Sequence, residues 1–249
     1  MCTATLLPLP TADDATAFRL VTNRDEQHAR APAISPEVRR YGRRAVLMPV
    51  DPSSDGTWVA ANDAGLAITL LNLNLGDAQP DPVGRSSRGA VVPSLMHHAA
   101  AADAAAEAER IDAAAMMPFR LLVADGRAAF VVRSDGTVLT ISAINPAGRP
   151  TMLTSSGLGD HLVATPRREL FHASDFKTPD DQDAFHRHRW PDRPHLSVAM
   201  HREDARTVSR TVVEVSADVV TMAYTPIAFD GTNGETASAT LPRRAEASA

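Results

Sequence analysis

The sequence predicts an α+β fold built from antiparallel sheets. Three apolar runs, at 119–124, 128–133 and 137–143, are separated by two Asp-Gly dipeptides, and Asp-Gly between apolar runs is a strong hairpin signal. Further apolar runs follow at 195–201, 206–216 and 218–227. Consecutive hairpins favour antiparallel sheets over a parallel α/β arrangement, and the runs are numerous enough for two sheets.

Helices and loops are expected between these strands. The predicted helices are 93–117, where Ala dominates and has the highest helix propensity, 165–175 and 179–190. The Pro- and Gly-containing stretch 75–90 is expected to be a loop. So is 27–45, whose five arginines fit either a solvated surface or contact with an anionic substrate group.

A hairpin is predicted at the N-terminus. Residues 3–8 and 18–24 read as strands around a turn-forming run at 10–15. If apolar residues lie opposite one another across this hairpin, Leu6 pairs with Leu20, Pro8 with Phe18 and Cys2 with Arg24. The guanidinium of Arg24 would then favour the Cys2 thiolate. A slip of one residue would bring Asn23 or Asp25 beside Cys2 instead.

Cys2 is the only cysteine in the chain. If Met1 is removed, Cys2 becomes the N-terminal residue and carries both a nucleophilic thiol and a basic α-amine. Their ordinary pKa values, about 8.5 and about 7.7–8.0, let a proton pass between them near neutral pH. The alternative is that Cys2 is a small, buried and inert apolar residue.

A second candidate feature ends the predicted strand 65–74, which closes on Asn72-Leu73-Asn74. Strand alternation places the two amides on one face. An Asn side-chain N–H fixed at a strand end can stabilise an oxyanion. Alternatively, both residues cap and turn the strand.

Cys2 followed by the tetrapeptide Asn23-Arg24-Asp25-Glu26 resembles the NRDE family, also called the transport-and-Golgi-organisation family. Other blocks that resemble this family, in the same order, are 56–62 with 65–67, Leu71-Asn72, Ser87-Arg88-Gly89 with 91–93, and 119–125. One departure is Asp55, which stands where the family has the first Gly of its Gly-Gly-Thr-Trp segment.

The resemblance implies the fold of the N-terminal nucleophile (Ntn) hydrolases, a four-layer αββα sandwich of two stacked antiparallel sheets flanked by helices. It also implies covalent hydrolysis of a non-peptide amide (C–N) bond. The expected catalytic residues are Cys2, Arg24, Asp25 and Asn72, and the expected substrate-binding residues are Asn23, Asn74 and Arg88. We expect a single domain over 1–230 and a disordered tail over 231–249, which lacks an apolar period.

Composition restricts the class of protein. An apolar content of 44% and a charged content of 22% indicate a soluble globular domain. A formal charge of −5 argues against a nucleic-acid binder, and a single cysteine excludes an internal disulfide or a cysteine-based zinc site. No signal peptide or transmembrane run is evident, so we expect a cytoplasmic protein.

No metal site is predicted. Adjacent residues His97 and His98 would diverge on a helix, and His186 and His188 lack a third ligand at a diagnostic spacing. No cofactor is expected, and the expected partner is a small-molecule amide or acyl substrate. Two alternatives remain. The NRDE family that the sequence resembles is linked to haem trafficking, so the resemblance also implies a haem-binding or haem-trafficking protein on the same fold without catalysis, and the chain has nine histidines. The other alternative is a degenerate hydrolase fold with a scaffolding role.

Overall fold

Two antiparallel sheets stack face to face in the computed structural model of the protein, which describes residues 2–10, 16–144 and 149–244. In chain order, the strands of this part of the chain are β1 (Cys2–Pro8), β2 (Phe18–Gln27), β3 (Ile34–Tyr41), β4 (Arg44–Val50), β5 (Val59–Asn62), β6 (Ala67–Asn72), β7 (Phe119–Ala124), β8 (Ala129–Ser134), β9 (Leu139–Ile144), β10 (Thr151–Thr154), β11 (Ala205–Val215), β12 (Val219–Pro226) and β13 (Ala237–Pro242). The helices are α1 (Val91–Leu95), α2 (Ala101–Ala108), α3 (Asp160–Ala173) and α4 (Pro179–Arg187).

The first sheet has the strand order β10-β1-β2-β11-β12-β13, and the second has the order β3-β4-β5-β6-β7-β8-β9. The predicted hairpin register of β1 and β2 is confirmed. Cys2 lies opposite Arg24, Leu6 opposite Leu20, and Pro8 opposite Phe18. The predicted turn centred near Asp13 lies outside the described residues.

Apolar clusters hold four layers together. Between the sheets lie Leu6, Leu20, Leu47, Leu122 and Val213. Helices α1 and α2 cover the second sheet through Val92, Leu95, Met96, Ala104 and Ile68. Helices α3 and α4 cover the first sheet through Leu7, Phe171, Phe185 and Val198, joined by Phe176 from the loop between the helices. The predicted αββα arrangement of two antiparallel sheets between helical layers is therefore confirmed.

The expected loop 27–45 is wrong, because most of it belongs to β3 and β4. Strand β3 lies at the edge of the second sheet and is largely exposed, so its pairing with β4 does not require apolar side chains. Pro36 falls where the register shifts between Ile34 and Glu37, as expected for a residue that lacks a backbone N–H.

The expected long helix 93–117 is also wrong. It is broken into α1 and α2, because α2 begins where the backbone N–H of Ala101 donates to the carboxylate of Asp125 at 2.9 Å. A tertiary contact therefore overrides the helix propensity of the Ala-rich run. Residues 195–201 form no strand either, and their first two residues belong to the short 3₁₀ turn Pro194–Leu196.

The expected disordered tail 231–249 is wrong over Ala237–Pro242. These residues form β13, which pairs with β12 at the edge of the first sheet and buries Leu241. Backbone hydrogen bonds to β12 hold the segment, so its lack of an apolar period does not prevent ordering. Residues 245–249 lie outside the described part of the chain.

Within the described ranges, no helix is long and apolar enough to span a bilayer.

Candidate active site

Cys2 begins β1, a strand that lies between β2 and β10 in the first sheet. Its backbone nitrogen donates to Ser155 Oγ at 3.0 Å, and its carbonyl oxygen accepts from the backbone nitrogen of Ser155 at 2.9 Å. The side chain packs against Ala4 and Leu71, and the residue is 6% exposed. Burial raises the pKa of the Cys2 thiol, so the thiol is protonated at rest.

Arg24 lies directly opposite Cys2, but its charge is engaged elsewhere. The guanidinium donates to Asp51 Oδ2 at 2.7 Å, lies 3.4 Å from a carboxylate oxygen of Glu26, and stacks 4.5 Å above the ring centroid of Trp58. The expectation that Arg24 favours the thiolate is therefore wrong, because burial dominates the thiol pKa and Arg24 is neutralised by carboxylates.

Asp25 influences Cys2 through both its backbone and its charge. A hydrogen bond from its backbone N–H lowers the pKa of the Cys2 thiol, against the larger effect of burial. The Asp25 carboxylate accepts from Thr207 Oγ1 at 2.6 Å, beside a bulge in β11 between Thr207 and Ser209. Burial raises the pKa of Asp25 to about 6, while the positive charge of Arg167 opposes the rise.

Arg167 is a residue that the sequence analysis missed. It lies on α3, is 1% exposed, and its positive charge influences both Asp25 and Cys2. Its guanidinium donates to Thr3 Oγ1 and Thr154 Oγ1 at 2.8 and 2.7 Å, and to the carbonyl oxygens of Leu196 and Ser197 at 2.9 and 2.6 Å. Arg167 therefore ties α3 to β1, which begins at Cys2, and to β10, which Ser155 directly follows.

A cavity of about 490 Å³ opens beside this cluster. It is lined by Arg24, Glu26, Arg30, Asp51, Ser54, Thr57, Trp58, Leu70, Asn72, Pro82, Arg85, Ser86, Ser87, Arg88, Gly89 and Met117. Three predicted site residues, Arg24, Asn72 and Arg88, thus share one cavity. The buried Cys2 is not among the lining residues and lies next to the cavity, across the hairpin from Arg24.

Arg88 enters this cavity from a 3₁₀ turn, Arg88–Ala90. Its guanidinium donates to the carbonyl oxygen of Pro118 at 2.9 Å, and no carboxylate of the described residues lies within 4.0 Å of it. Burial lowers the pKa of Arg88, whereas the negative charge of an ionised Cys2 and that of Glu26 raise it. Arg88 is therefore a cation with spare donors, close enough to Cys2 to sense its charge.

Two of the sequence blocks pack together at the cavity wall. A Cβ atom on Gly56 would lie 2.5 Å from the carbonyl carbon and oxygen of Gly89, so only glycine fits at this contact. The backbone nitrogen of Thr57 donates to the same Gly89 oxygen at 3.1 Å. Asp55 has φ 51°, in the left-handed region that favours glycine, at the position where this chain departs from the family pattern.

The other predicted residues are placed away from Cys2. Asn23 donates its amide to the carbonyl oxygens of His186 and Val198 at 2.9 and 3.0 Å, on the helical face of the first sheet. Asn74 donates to Asp160 at 3.4 Å, at the start of α3. Neither residue lines the cavity, so Asn72 and Asn74 do not act on the same space.

One side-chain cluster could hold a metal ion. His97, His98 and Glu107 place one ligand atom each within 4.8 Å of one another. The expectation that the two histidines diverge is wrong, because both lie between α1 and α2 rather than on a helix, with ring centroids 4.0 Å apart. This cluster lies at the surface on the second sheet's helical side and contains no residue of the Cys2 site.

The fold is similar to that of solved protein structures. The C2A mutant of conjugated bile acid hydrolase from Clostridium perfringens has a TM-score of 0.53 at 14% identity, covering 98% of this chain and 97% of that chain. The N-acylethanolamine-hydrolyzing acid amidase ortholog from Caenorhabditis elegans has a TM-score of 0.52 at 12% identity, covering 85% of this chain and 92% of that chain. No curated protein sequence matches the chain.

At these identities the solved structures show the fold, which is that of the Ntn hydrolases, as the sequence predicted. The family model described as Transport and Golgi organisation 2 matches residues 1–168, about two thirds of the chain. This matched region contains Cys2, the NRDE tetrapeptide, both blocks at the cavity wall and Arg167. The chain therefore belongs to the Transport and Golgi organisation 2 family.

Proposed function

We propose that the protein hydrolyses a non-peptide amide (C–N) bond of a small molecule, with Cys2 as the N-terminal nucleophile after removal of Met1. The observation that carries this proposal is the placement of Cys2. Its nitrogen is held by Ser155 at the start of β1, next to a cavity that contains Arg24, Asn72 and Arg88. One named structural neighbour is a conjugated bile acid hydrolase and the other is an N-acylethanolamine-hydrolyzing acid amidase, and these hydrolases on the same fold support a hydrolytic function.

Burial raises the pKa of the Cys2 thiol, and a protonated thiol is a weak nucleophile. Attack by Cys2 therefore requires a base that removes the thiol proton. After removal of Met1, the free α-amine of Cys2 is that base, and it belongs to the same residue as the thiol. Ser155 Oγ accepts a hydrogen bond from this nitrogen, which leaves the nitrogen lone pair free to take the thiol proton. Ser155 therefore acts as a positioning residue.

The proposed reaction has two steps. In the first, Cys2 Sγ attacks the amide carbonyl carbon, the thiol proton passes to the α-amine, and this proton then goes to the leaving amine as the C–N bond breaks. In the second, water attacks the thioester, and the C–S bond breaks to release the carboxylic acid and restore the thiol. Asn72 is the proposed donor to the tetrahedral oxyanion in both steps.

The remaining predicted residues take supporting roles in this proposal. Arg24 orients the Cys2 hairpin through Asp51, and Asp25 positions Cys2 through its backbone N–H. Arg88 contacts the substrate from the cavity wall. Asn23 bonds to the backbone of α4, and Asn74 bonds to Asp160 at the start of α3. In this proposal both residues hold the elements around the substrate site in place. Nothing in the described residues favours haem binding over this function.

The proposal is tested by measuring amine release from a panel of N-acyl amides, including N-acyl amino acids and N-acylethanolamines. Wild-type protein should hydrolyse at least one class, and Cys2→Ala should abolish turnover. A matched control inserts Lys between Met1 and Cys2, which keeps Met1 and the thiol but removes the free amine. This control should also be inactive. Equal turnover in wild type and Cys2→Ala, or no turnover of any amide by protein with a free Cys2 amine, would overturn the proposal.

A further inference from the structure

A second cavity, of about 320 Å³, lies on the helical face of the first sheet. It is lined by His186, Arg187, Arg189, Ala199, Arg210, Ile227, Gly231 and Asn233. Three of these residues are arginines and none is an Asp or Glu. The lining therefore presents one sign of charge, unlike the cavity beside Cys2, where Glu26 and Asp51 face the arginines. We call this second space the Arg210 cavity.

Arg210 is the most buried of the three arginines, at 8% exposed. It lies on the central strand β11, opposite Asn23 on β2 and Thr225 on β12. Among the described residues, no carboxylate lies within 4.0 Å of its guanidinium, and no acceptor forms a hydrogen bond with it. A buried cation without a partner is costly, so this arrangement points to a negatively charged ligand.

Arg19 is a buried arginine on the same sheet face whose guanidinium is bound by protein side chains, and it serves as a comparison for Arg210. It is 5% exposed and lies on β2, on the same helical face. Its guanidinium is saturated by Asp183 at 2.8 Å, Glu214 at 3.0 Å and Gln182 at 2.9 Å. Two similarly buried arginines thus differ in one respect: Arg19 has protein acceptors, whereas Arg210 faces a cavity.

Other positive groups add to the field at Arg210. Burial lowers the pKa of Arg210, and the charges of Arg187 and Arg19 lower it further, while Asp183 opposes them. His186, which also lines the cavity, is fully buried and bonded to Thr5 and Asn23, and burial holds its pKa well below the usual range. The histidine is therefore neutral, and the three arginines carry the charge of the site.

On the opposite wall of the cavity, the Arg189 guanidinium packs closely against the loop that contains Gly231. Gly231 has φ +86°, and a Cβ atom there would lie 2.3 Å from a terminal guanidinium nitrogen of Arg189. A side chain at this position would displace the Arg189 guanidinium and strain the backbone, so glycine favours the contact between Arg189 and this loop. A backbone bridge between Ile227 and Asn233 holds the loop's two ends together, which fixes the Asn233 amide at the cavity.

We propose that the Arg210 cavity binds a small molecule that carries a phosphate group, with Arg210 at its base and Arg187 and Arg189 at its rim. Guanidinium groups match phosphate oxygens with paired hydrogen bonds, and a dianion suits several arginines better than a single carboxylate does. Arg210 and Cys2 lie on opposite faces of the first sheet, since Arg210 pairs with Asn23 and Cys2 pairs with Arg24. The site is therefore separate from the proposed hydrolase site and does not depend on it.

The test is calorimetric titration of the full-length protein with inorganic phosphate and with succinate, at an ionic strength fixed by sodium chloride. Wild type should bind phosphate more tightly than succinate. Arg210→Gln should weaken phosphate binding about tenfold or more, as expected for loss of charge-assisted hydrogen bonds. Arg168→Gln, which removes an exposed arginine from α3, should leave the affinity within about twofold of wild type.

A second measurement separates ligand binding from structure. Without phosphate, the melting temperature of Arg210→Gln should equal or exceed that of wild type, because a buried unpaired charge is removed. If Arg210→Gln does not fold, Arg189→Gln at the exposed rim carries the test and should weaken phosphate binding at least about threefold. Phosphate binding no stronger than succinate binding, no binding of either anion, or equal phosphate affinity in wild type and the folded variants would overturn the proposal.

Discussion

The hydroxyl oxygen of Ser155 lies 3.0 Å from the backbone nitrogen of Cys2, although the two residues are 153 positions apart in the sequence. Strands β10 and β1 are neighbours in the first sheet, and this pairing brings the two residues together. The nitrogen is the one that becomes the α-amine when Met1 is removed. Ser155 is therefore placed to orient the proposed base.

Ser155→Ala should lower kcat for amide hydrolysis by about two- to tenfold with little change in KM, because one neutral hydrogen bond to the amine is lost. Ser155→Thr keeps the hydroxyl and should restore most of the activity. Steady-state kinetics across pH 5 to 9 check this, since a misplaced amine should also shift the pH profile. An unchanged kcat and pH profile in Ser155→Ala would show that the hydroxyl has only a structural role.

Asp25 predicts a distinct dependence of stability on pH. Its pKa is raised from 3.8 to about 6, so the folded protein holds this proton more tightly than the unfolded chain does. The resulting stabilisation is complete below pH 3.8 and is lost as pH rises to about 6. A rise of about two units corresponds to about 3 kcal/mol.

Asp25→Asn cannot ionise, so it should not lose stability as Asp25 does when it ionises in the wild type. The free energy of unfolding of Asp25→Asn relative to that of wild type should therefore increase between pH 4 and 6.5. Urea unfolding at a series of pH values measures the difference, with the exposed residue Asp77 changed to Asn as the control. A difference between Asp25→Asn and wild type that stays constant with pH would contradict the assignment.

Arg167→Met should destabilise the fold by about 3–5 kcal/mol, because three buried acceptors, one partly buried acceptor and the Asp25 carboxylate lose a positive partner. Arg168→Met removes the neighbouring exposed arginine on the same helix and should change stability by less than about 0.5 kcal/mol. Equilibrium urea unfolding compares the two variants. Equal stability of both would mean that Arg167 does not hold α3 to β1 and β10.

Arg88→Gln should raise KM about tenfold for an amide that carries a carboxylate and leave KM for a neutral amide nearly unchanged. The reason is that Arg88 lines the cavity with spare donors and no carboxylate of the described residues beside it. Arg127→Gln, at an exposed turn, is the control for loss of charge. Equal rises in KM for both amides would indicate that Arg88 shapes the cavity rather than recognising charge.

The sequence was sufficient to predict the hairpin that carries Cys2. Side chains alternate strictly along a strand, so matching Leu6 with Leu20 fixes Cys2 opposite Arg24. The direction of the Arg24 guanidinium could not be predicted in this way. It depends on Asp51, which follows β4 and lies 27 residues after Arg24 in the sequence, and nothing in the sequence pairs these two residues.

Residues that join distant elements were the hardest to predict. Arg167 and Arg168 look alike in the sequence, yet one is buried beneath the site and the other is exposed. Ser155 directly follows β10, and only the pairing of β10 with β1 gives its hydroxyl a role. Asn72 and Asn74 were expected on one face, but the chain leaves the strand after Asn72, and Asn74 bonds to Asp160 instead.

Intact-mass spectrometry shows whether Cys2 is a free N-terminal nucleophile, on which the proposed hydrolysis depends. Because Cys2 is the only cysteine, any thiol adduct must form on it. We expect the purified protein to lack Met1, to gain one carbamidomethyl group from iodoacetamide, and then to hydrolyse amides no longer. A mature protein that retains Met1, or one that stays fully active after Cys2 is alkylated, would contradict this expectation.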